Sequence, residues 1–345
     1  FTPPGMTRWA RANARPRFAG SRHRFSVSRQ SDLPLDHFIH LPAKAMKAFR
    51  EKAIDEVATT VKTLLEDGKE ISLRINVNTQ SNEMALELDM TGTKGSKLAK
   101  DIMAIRENKS VVGGALASPD SALTMALSAS LAGSLKKLLP GVIDDVIAEA
   151  KKKAPGEAEE LAKPLIDAIL PTLKSGEIDA GLTLIGPDKK GQFTALIAMK
   201  LAEGKKVEAA VKEVAKKLPP EVANLLSLDA EKLTGGYMLH TVKVGSMVPE
   251  ELKKMFGESD VQLSFRDDLV VIAFGPNAKN ALVKALASKP ADIGIAKFQV
   301  SLAKLVPAVA DSADKAADAK KLAEKIFGKG GTSGQDTITF SIEGG

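Results

Sequence analysis

The sequence predicts an α+β fold in which hairpins form antiparallel sheet and helices cover that sheet. At several places two runs of alternating apolar and polar residues flank a short turn, and Lys-rich amphipathic segments lie between these hairpins. One order of elements, strand, helix, hairpin and helix, recurs about four times. The hairpins begin near residues 71, 178, 261 and 336. Because these intervals are unequal, we expect a duplicated α+β protein and not a regular solenoid.

The predicted repeat units follow an Arg-rich segment at residues 1–32. They cover residues 33–108, 109–218, 219–288 and 289–345. The fourth unit ends after one alternating strand, where the pattern requires a partner strand and a helix. We therefore expect the fourth unit to be incomplete and the chain to be a fragment, with an unpaired strand edge that could associate with another chain.

In the first unit, a short strand at 38–41 precedes a predicted helix with apolar residues every three or four positions. Gly68 is predicted to end this helix in a left-handed conformation. The runs Ile71–Val77 and Met84–Met90 then alternate around a turn at 79–82, which indicates a hairpin with one wet face. A second helix is predicted from Ser96.

The second unit is predicted to open with a strand over the apolar run Val111–Ala117. Ser118 and Pro119 are typical of a helix start, so a helical section is expected from there to Lys174. Two Pro-Gly pairs, at 140–141 and 155–156, are expected to break it. The remaining predicted elements of this unit are a hairpin of Ile178–Ile185 with Phe193–Met199 and a Lys-rich helix from Gly204 to before Pro219.

The third and fourth units follow the same order. The third has predicted strands at Tyr237–Val244, Val261–Phe265 and Leu269–Phe274, a short helix after Pro249, and a helix after Gly275-Pro276-Asn277. The fourth has a predicted strand at Ile293–Leu302, a helical stretch to Phe327, a Gly-rich loop, and a terminal strand of alternating residues at 337–342.

The net charge of +6 belongs to the N-terminal segment. Residues 1–31 contain seven Arg and no acidic residue, and without them the 49 basic residues fall to 42 against 43 acidic ones. The body therefore gives no strong nucleic-acid signal. This N-terminal segment is typical of a disordered or targeting segment. An extension that does not belong to the natural protein is slightly favoured, and an arm that binds nucleic acid is a further alternative.

Composition excludes several chemistries. The chain has no Cys, so disulfides, thiolate metal sites and Cys nucleophiles are absent. No window reaches the roughly 18 apolar residues of a membrane span. The amphipathic segment Leu127–Ile147 could lie on a membrane surface, but packing on the sheet is favoured.

Motifs for catalysis are weak. His240 shares a predicted strand face with apolar residues and is expected to be a hydrogen-bonded core histidine rather than a general base. Ser-x-x-Lys, which could activate a serine, occurs without the companion motifs of penicillin-binding enzymes. These weaker candidates are His23, His37, His40, Ser134/Lys137, Ser301/Lys304, Ser312/Lys315, the acidic face Asp311, Asp314 and Asp318, and the loop Gly328–Gly334. We assign no catalytic, cofactor-binding or metal-binding residue and expect no cofactor.

The segment from Gly181 to Lys212 and the junction Phe274–Leu282 resemble uncharacterised proteins of planctomycete-type bacteria, many of them exported. The resemblance covers most of residues 33–345, implies an extracytoplasmic location and supplies no activity. The leading hypothesis is a non-enzymatic module that binds an unknown ligand or protein partner or has a structural role. The alternatives are a hydrolase with a site assembled from distant residues such as Ser134 or His240, and nucleic-acid contact through the Arg-rich tail.

Overall fold

The structure is a computed structural model that describes residues 43–78, 83–107, 109–131, 133–153, 156–309, 317–318, 321 and 337–342. The helices in this part of the chain are α1 (Ala43–Asp67), α2 (Lys97–Glu107), α3 (Val111–Leu116), α4 (Gly133–Lys153), α5 (Glu157–Lys174), α6 (Gly204–Lys217), α7 (Pro220–Ala223), α8 (Glu250–Phe256), α9 (Ala278–Leu286) and α10 (Leu302–Val309). A short 3-10 helix spans Gly245–Met247.

The strands of the described chain are β1 (Gly68–Asn78), β2 (Glu83–Gly92), β3 (Ser121–Ser130), β4 (Glu177–Ile185), β5 (Thr194–Lys200), β6 (Leu226–Lys232), β7 (Met238–Val242), β8 (Val261–Arg266), β9 (Leu269–Phe274), β10 (Ala296–Ser301) and β11 (Thr337–Ile342). They form one sheet in the order β1-β2-β11-β10-β3-β4-β5-β9-β8-β7-β6. Among these strands only β11 and β2 pair in parallel. Because β11 also pairs with β10, the prediction that this terminal strand has an unpaired edge was wrong. The predicted α+β class with a large antiparallel sheet is confirmed.

The predicted hairpins are confirmed where the structure describes them. β1 pairs with β2, β4 with β5, and β8 with β9, all antiparallel. The strand preceding a helix also pairs with the first strand after it, as β3–β4, β7–β8 and β10–β11 do. This order agrees with the proposed unit, although the internal sequence repeat itself stays a prediction.

Two predictions at the start of the second unit were wrong, because the predicted strand is a helix and the start of the predicted helix is a strand. Residues Val111–Leu116 form helix α3, and Ser121–Ser130 form strand β3. Ser110 caps the helix by accepting a hydrogen bond from the Gly113 N–H at 2.7 Å. Tertiary contacts therefore overcome the strand preference of the Val-Val pair. Ser118-Pro119-Asp120, which predicted a helix start, is a turn in which the Ser121 N–H donates to the Ser118 carbonyl.

Three further local predictions need correction. Helix α4 continues through Pro140, so the predicted break at that residue was wrong. Gly68 is not in the left-handed conformation. A Cβ there would lie 2.2 Å from the Leu64 carbonyl oxygen, so Gly permits a close approach of backbone instead. Leu127 belongs to β3, so the amphipathic segment 127–147 is not one helix.

Some predicted elements lie outside the described residues: the strand at 38–41, the turn at 79–82, the break at Pro155, most of the helical stretch to Phe327 and the Gly-rich loop. Strand β6 and helix α7 had no counterpart among the predictions. β6 carries a register shift between Ser227 and Glu231, and Asp229 within it has φ of 51°. An irregular strand of this kind lacks the alternation by which strands are recognised.

Helices cover both faces of the sheet around β5 and β9. On one face α3 and α9 pack against β4, β5, β8 and β9 in the larger core cluster, which includes Leu196, Val271 and Leu282. On the other face α6 packs on β8, with Val207 against Phe265 and Val270. Among the described helices, none combines the length and apolar character that a bilayer crossing needs.

Candidate functional site

One face of the sheet carries apolar side chains across many strands. A row of directly paired residues on this face runs Phe340, Phe298, Met125, Leu182, Ile197, Ile272 and Leu263. Directly opposed residues of paired strands point to the same side of a sheet. From β11 to β9, every position on this side is Ala, Val, Leu, Ile, Met or Phe. We call this side of the sheet the apolar face.

The apolar face is only partly covered. All the exposed large hydrophobic residues of the described strands lie on it: Leu73 (63% exposed), Ile75 (66%), Met125 (44%), Leu127 (40%), Ile178 (41%), Ile197 (47%), Phe340 (46%) and Ile342 (43%). The register through β2 places Leu73 and Ile75 on this side. If exposed apolar residues were placed at random, they would occur on both sides of the sheet. The exposed surface is therefore a continuous feature of the fold.

A layer of helices lies over the apolar face. α6 packs on β8, α5 lies beside α6, α4 beside α5 and α1 beside α4, and α1 leads directly into β1 in the chain. By contrast, neither α4 nor α5 packs its backbone closely along a described strand. Ala168 of α5 packs against the cluster beneath α6. The layer thus packs on the sheet at β8, and the half-exposed residues lie away from that contact, on strands from β1 to β5.

The helix layer has exposed apolar side chains of its own. On α1, Ile54, Val57, Val61 and Leu65 recur every three or four residues and are 49–78% exposed. They form one stripe along the helix. Leu138 of α4 and Leu173 of α5 are also exposed. Apolar surface is therefore accessible on both the sheet and the helices.

The energetic cost of this exposure is large. The exposed fractions of the eight strand residues together equal about four whole side chains. Burying one such side chain stabilises a protein by about 1.5–3 kcal/mol, so complete coverage would contribute roughly 6–12 kcal/mol. Exposed apolar patches of this extent are typical of interaction or ligand sites. The apolar face is the strongest candidate functional site in the described chain.

The opposite face has a buried polar network at the start of α3. Asp179 of β4 is 6% exposed and accepts hydrogen bonds from the Ser110 hydroxyl at 2.5 Å and the Val111 N–H at 3.0 Å. Ser110 in turn accepts from Gly113, so this buried carboxylate fixes the capping residue of the helix. The hydroxyl groups of Thr124 and Thr183 are 3.0 Å apart nearby. These groups are satisfied internally, which indicates a structural role.

His240 is fully buried at the far end of the apolar face. Its Nδ1 accepts from the Asp229 N–H at 3.1 Å, so Nε2 carries the proton and donates to Glu208 Oε1 at 3.2 Å. Burial lowers the pKa of His240 below its ordinary value, although the carboxylates of Glu208 and Asp229 oppose that shift. The edge of Phe265 packs against the imidazole ring. A neutral histidine held in this way agrees with the expected core histidine.

Glu208, Asp229 and His240 are close enough to suggest a metal site. However, Lys212 lies between the two carboxylates, 2.8 Å from Glu208 and 2.7 Å from Asp229. Burial alone would lower the pKa of Lys212, but hydrogen bonds to both carboxylates raise it overall. The ammonium group supplies the positive charge that a metal would bring, and the Asp229 N–H uses Nδ1. This cluster therefore joins α6 to β6 and β7 without need of a metal.

The Ser-Lys motifs do not form a nucleophile pair in the described chain. Ser301 is buried at the end of β10. Its hydroxyl accepts a hydrogen bond from the backbone N–H of Lys304 in the first turn of α10. The Lys304 ammonium group instead lies 3.5 Å from the Ser121 carbonyl. Asp318 is exposed and pairs with Lys321. The side chain of Ser134 and the residues His23, His37, His40, Asp311, Ser312, Asp314, Lys315 and Gly328–Gly334 lie outside what the structure describes.

Comparison with models of known protein families, with curated proteins and with solved structures finds no match. Interpretation of the site therefore depends on its own geometry. Its apolar alternation was recognised in the sequences of several strands, although β3 was predicted to be helical. No single strand shows that the alternating faces align across the whole sheet. The strand order supplies that alignment.

Proposed function

We propose that the protein is a non-enzymatic binding module that takes up a long hydrocarbon chain, such as the acyl chain of a lipid, on the apolar face. The observation that carries this proposal is the confinement of the exposed large strand residues to that one face. The face lacks polar side chains from β11 to β9. It therefore suits a ligand that has no hydrogen-bonding groups to satisfy along its length.

The dimensions also favour an elongated apolar ligand. The exposed residues span seven neighbouring strands, from β1 to β5 in the sheet order, and lie on five of them. Strands lie about 4.8 Å apart, so the accessible surface is roughly 29 Å wide. The helix layer restricts access from above near β8, where α6 packs on the sheet. A thin chain enters such a space more readily than a folded protein does, and its polar headgroup would remain at the solvent boundary.

The matched pair Met125 and Met247 gives a direct test. Both side chains are substantially exposed, but Met125 lies in the middle of the apolar face and Met247 lies in the 3-10 helix away from it. Delipidated protein would be titrated with the fluorescent probe 1-N-phenylnaphthylamine, and palmitate would then displace the probe. We expect Met125→Glu to weaken palmitate binding at least tenfold, because it puts a charge against hydrocarbon. Met247→Glu should bind as the wild type does.

Chain length supplies a second measurement. Each buried methylene contributes about 0.8 kcal/mol, so replacing palmitate by myristate should raise Kd roughly tenfold, whereas replacing the carboxylate by an alcohol should change Kd little. Equal binding by both Met variants would refute the proposal. Concentration-dependent dimers in sedimentation that Met125→Glu dissociates, without palmitate uptake, would assign the face to a second copy of the chain and also refute it.

The geometry does not favour the hydrolase alternative. His240 is buried and has both ring nitrogens in hydrogen bonds, so it is not available to activate a nucleophile. The side chain of Ser134 and the Arg-rich tail are outside the described residues. A binding module remains the function that the described contacts support best.

A further inference from the structure

A cavity lies on the face of the sheet opposite the apolar face. Its volume is about 340 Å³, and it is formed where α3 stops covering β3 and β10. Its wall includes Leu116, Ala117, Ala126, Ile293, Lys297 and Gln299. This volume lies within the range of small-molecule sites, about 300–1,000 Å³.

Small residues create this cavity. Ala126 of β3 is paired with Lys297 on one side and with Gly181 on the other. A Cβ at Gly181 would lie 2.6 Å from Leu116 Cδ1, so Gly181 lets α3 approach the sheet. Beyond Ala126 the helix no longer covers the strands, and the long side chains of β10 take its place at the wall. The cavity therefore forms because residue size increases along the paired row from Gly181 through Ala126 to Lys297.

The wall has one charge and an apolar body. Lys297 is its only charged residue, and no acid in the described part of the chain pairs with it. Gln299, two residues along the same strand, adds an amide with a hydrogen-bond donor. Leu116, Ala126 and Ile293 provide apolar surface opposite these groups. A partly buried lysine without a counter-ion among the described residues favours an anion, and the apolar wall favours a short hydrocarbon body.

We propose that this cavity binds a small amphipathic carboxylate, with the carboxylate at Lys297 and Gln299 and the hydrocarbon part against Leu116 and Ile293. The Lys297 ammonium group and the Gln299 amide donate hydrogen bonds to the carboxylate oxygens. This site is separate from the apolar face, because Lys297 and Gln299 point to the other side of β10 from Phe298. It does not depend on the proposed function.

Calorimetric titration of the full chain with sodium hexanoate tests the proposal, with 1-hexanol as the uncharged probe. We expect Lys297→Met to weaken hexanoate binding about 10- to 100-fold and to leave hexanol binding unchanged. Lys232→Met, at an exposed lysine of β6, is the matched control and should bind hexanoate normally. Ala117→Leu should weaken both probes, because Ala117 is an exposed part of the wall and its enlargement narrows the cavity.

Two results would overturn this assignment. If Lys297→Met bound hexanoate as tightly as the wild type, the ammonium group would have no role in recognition. If Met125→Glu abolished hexanoate binding while Lys297→Met and Ala117→Leu did not, the probe would bind the apolar face instead. Retention of hexanoate binding by Met125→Glu would support a second site, whatever the outcome with palmitate. Far-UV circular dichroism would establish that each variant is folded.

Discussion

The buried Asp179 is expected to be a main determinant of stability, and Asp179→Ala tests this. The substitution removes an acceptor from the Val111 N–H and from the Ser110 hydroxyl, which lie 3.0 and 2.5 Å away. Hydrogen bonds to a charged group contribute about 1.5–3 kcal/mol each, and loss of the carboxylate recovers part of its desolvation cost. We therefore expect the free energy of unfolding to fall by about 3 kcal/mol.

Glu177→Ala is the matched control, because Glu177 lies on the same strand and side of the sheet. Its side chain is 48% exposed and pairs with Lys200 at 2.8 Å, a hydrogen bond that lowers its pKa. An exposed ion pair contributes at most about 1 kcal/mol, so this variant should lose little stability. Urea unfolding followed by circular dichroism would give both values, provided that the dependence on urea is unchanged.

A double-mutant cycle isolates the interaction between Asp179 and Ser110. Because these two side chains share one hydrogen bond, the combined loss for Ser110→Ala with Asp179→Ala should be smaller than the sum of the single losses by about 0.5–3 kcal/mol. Additive losses, or a loss for Asp179→Ala no greater than for Glu177→Ala, would refute the view that Asp179 holds the start of α3.

Two other predictions concern backbone packing and pH. A Cβ at Gly114 would lie 1.9 Å from the Lys289 carbonyl oxygen, so Gly114→Ala should lower the free energy of unfolding by about 2 kcal/mol or more. A Cβ at Gly141, in helix α4, would meet nothing within 4 Å, so Gly141→Ala should raise the free energy of unfolding by about 0.5–1 kcal/mol. Both values come from urea unfolding, and equal effects would contradict the packing. Burial lowers the pKa of His240 in the folded protein, so below about pH 6.5 the unfolded chain binds more protons than the folded chain does. The free energy of unfolding should therefore decrease as the pH falls through that value, by at most about 1.4 kcal/mol per pH unit. His240→Gln should flatten this dependence in unfolding measured from pH 7.5 to 5, and an unchanged slope would exclude His240 as its source.

The hairpins could be predicted from the sequence because strand alternation is a local property. Ile178–Ile185 alternates apolar and polar residues regardless of which strand lies beside it. Helix α3 could not be predicted in this way. Its Val-Val-Gly-Gly run has little helix preference, and the contacts that form the helix come from Asp179 in β4 and from the backbone near Lys289. Those partners are distant in sequence.

The same distinction applies to the candidate sites. Lys297 and Leu116 form one cavity although they are far apart in the chain, and neither belongs to a recognisable motif. His240 was correctly expected to be a hydrogen-bonded core residue, since apolar neighbours at alternate positions place it on a buried side. Its partner Glu208, however, comes from α6 and has no signal in the strand. Local patterns predicted the environment of a residue but not its contacts.

The exposed apolar face has a physical consequence for the folded state. Complete coverage would add roughly 6–12 kcal/mol, which is comparable to the whole stability of a typical domain, about 5–15 kcal/mol. A chain that folds without this contribution must obtain its stability elsewhere, and here the cores beneath α3, α9 and α6 surround β5 and β9. The covered part of the sheet can then hold the strands in register, while Met125 and Phe340 remain accessible. Separation of the stabilising core from the accessible face would allow the proposed hydrocarbon ligand to bind and leave without unfolding the protein.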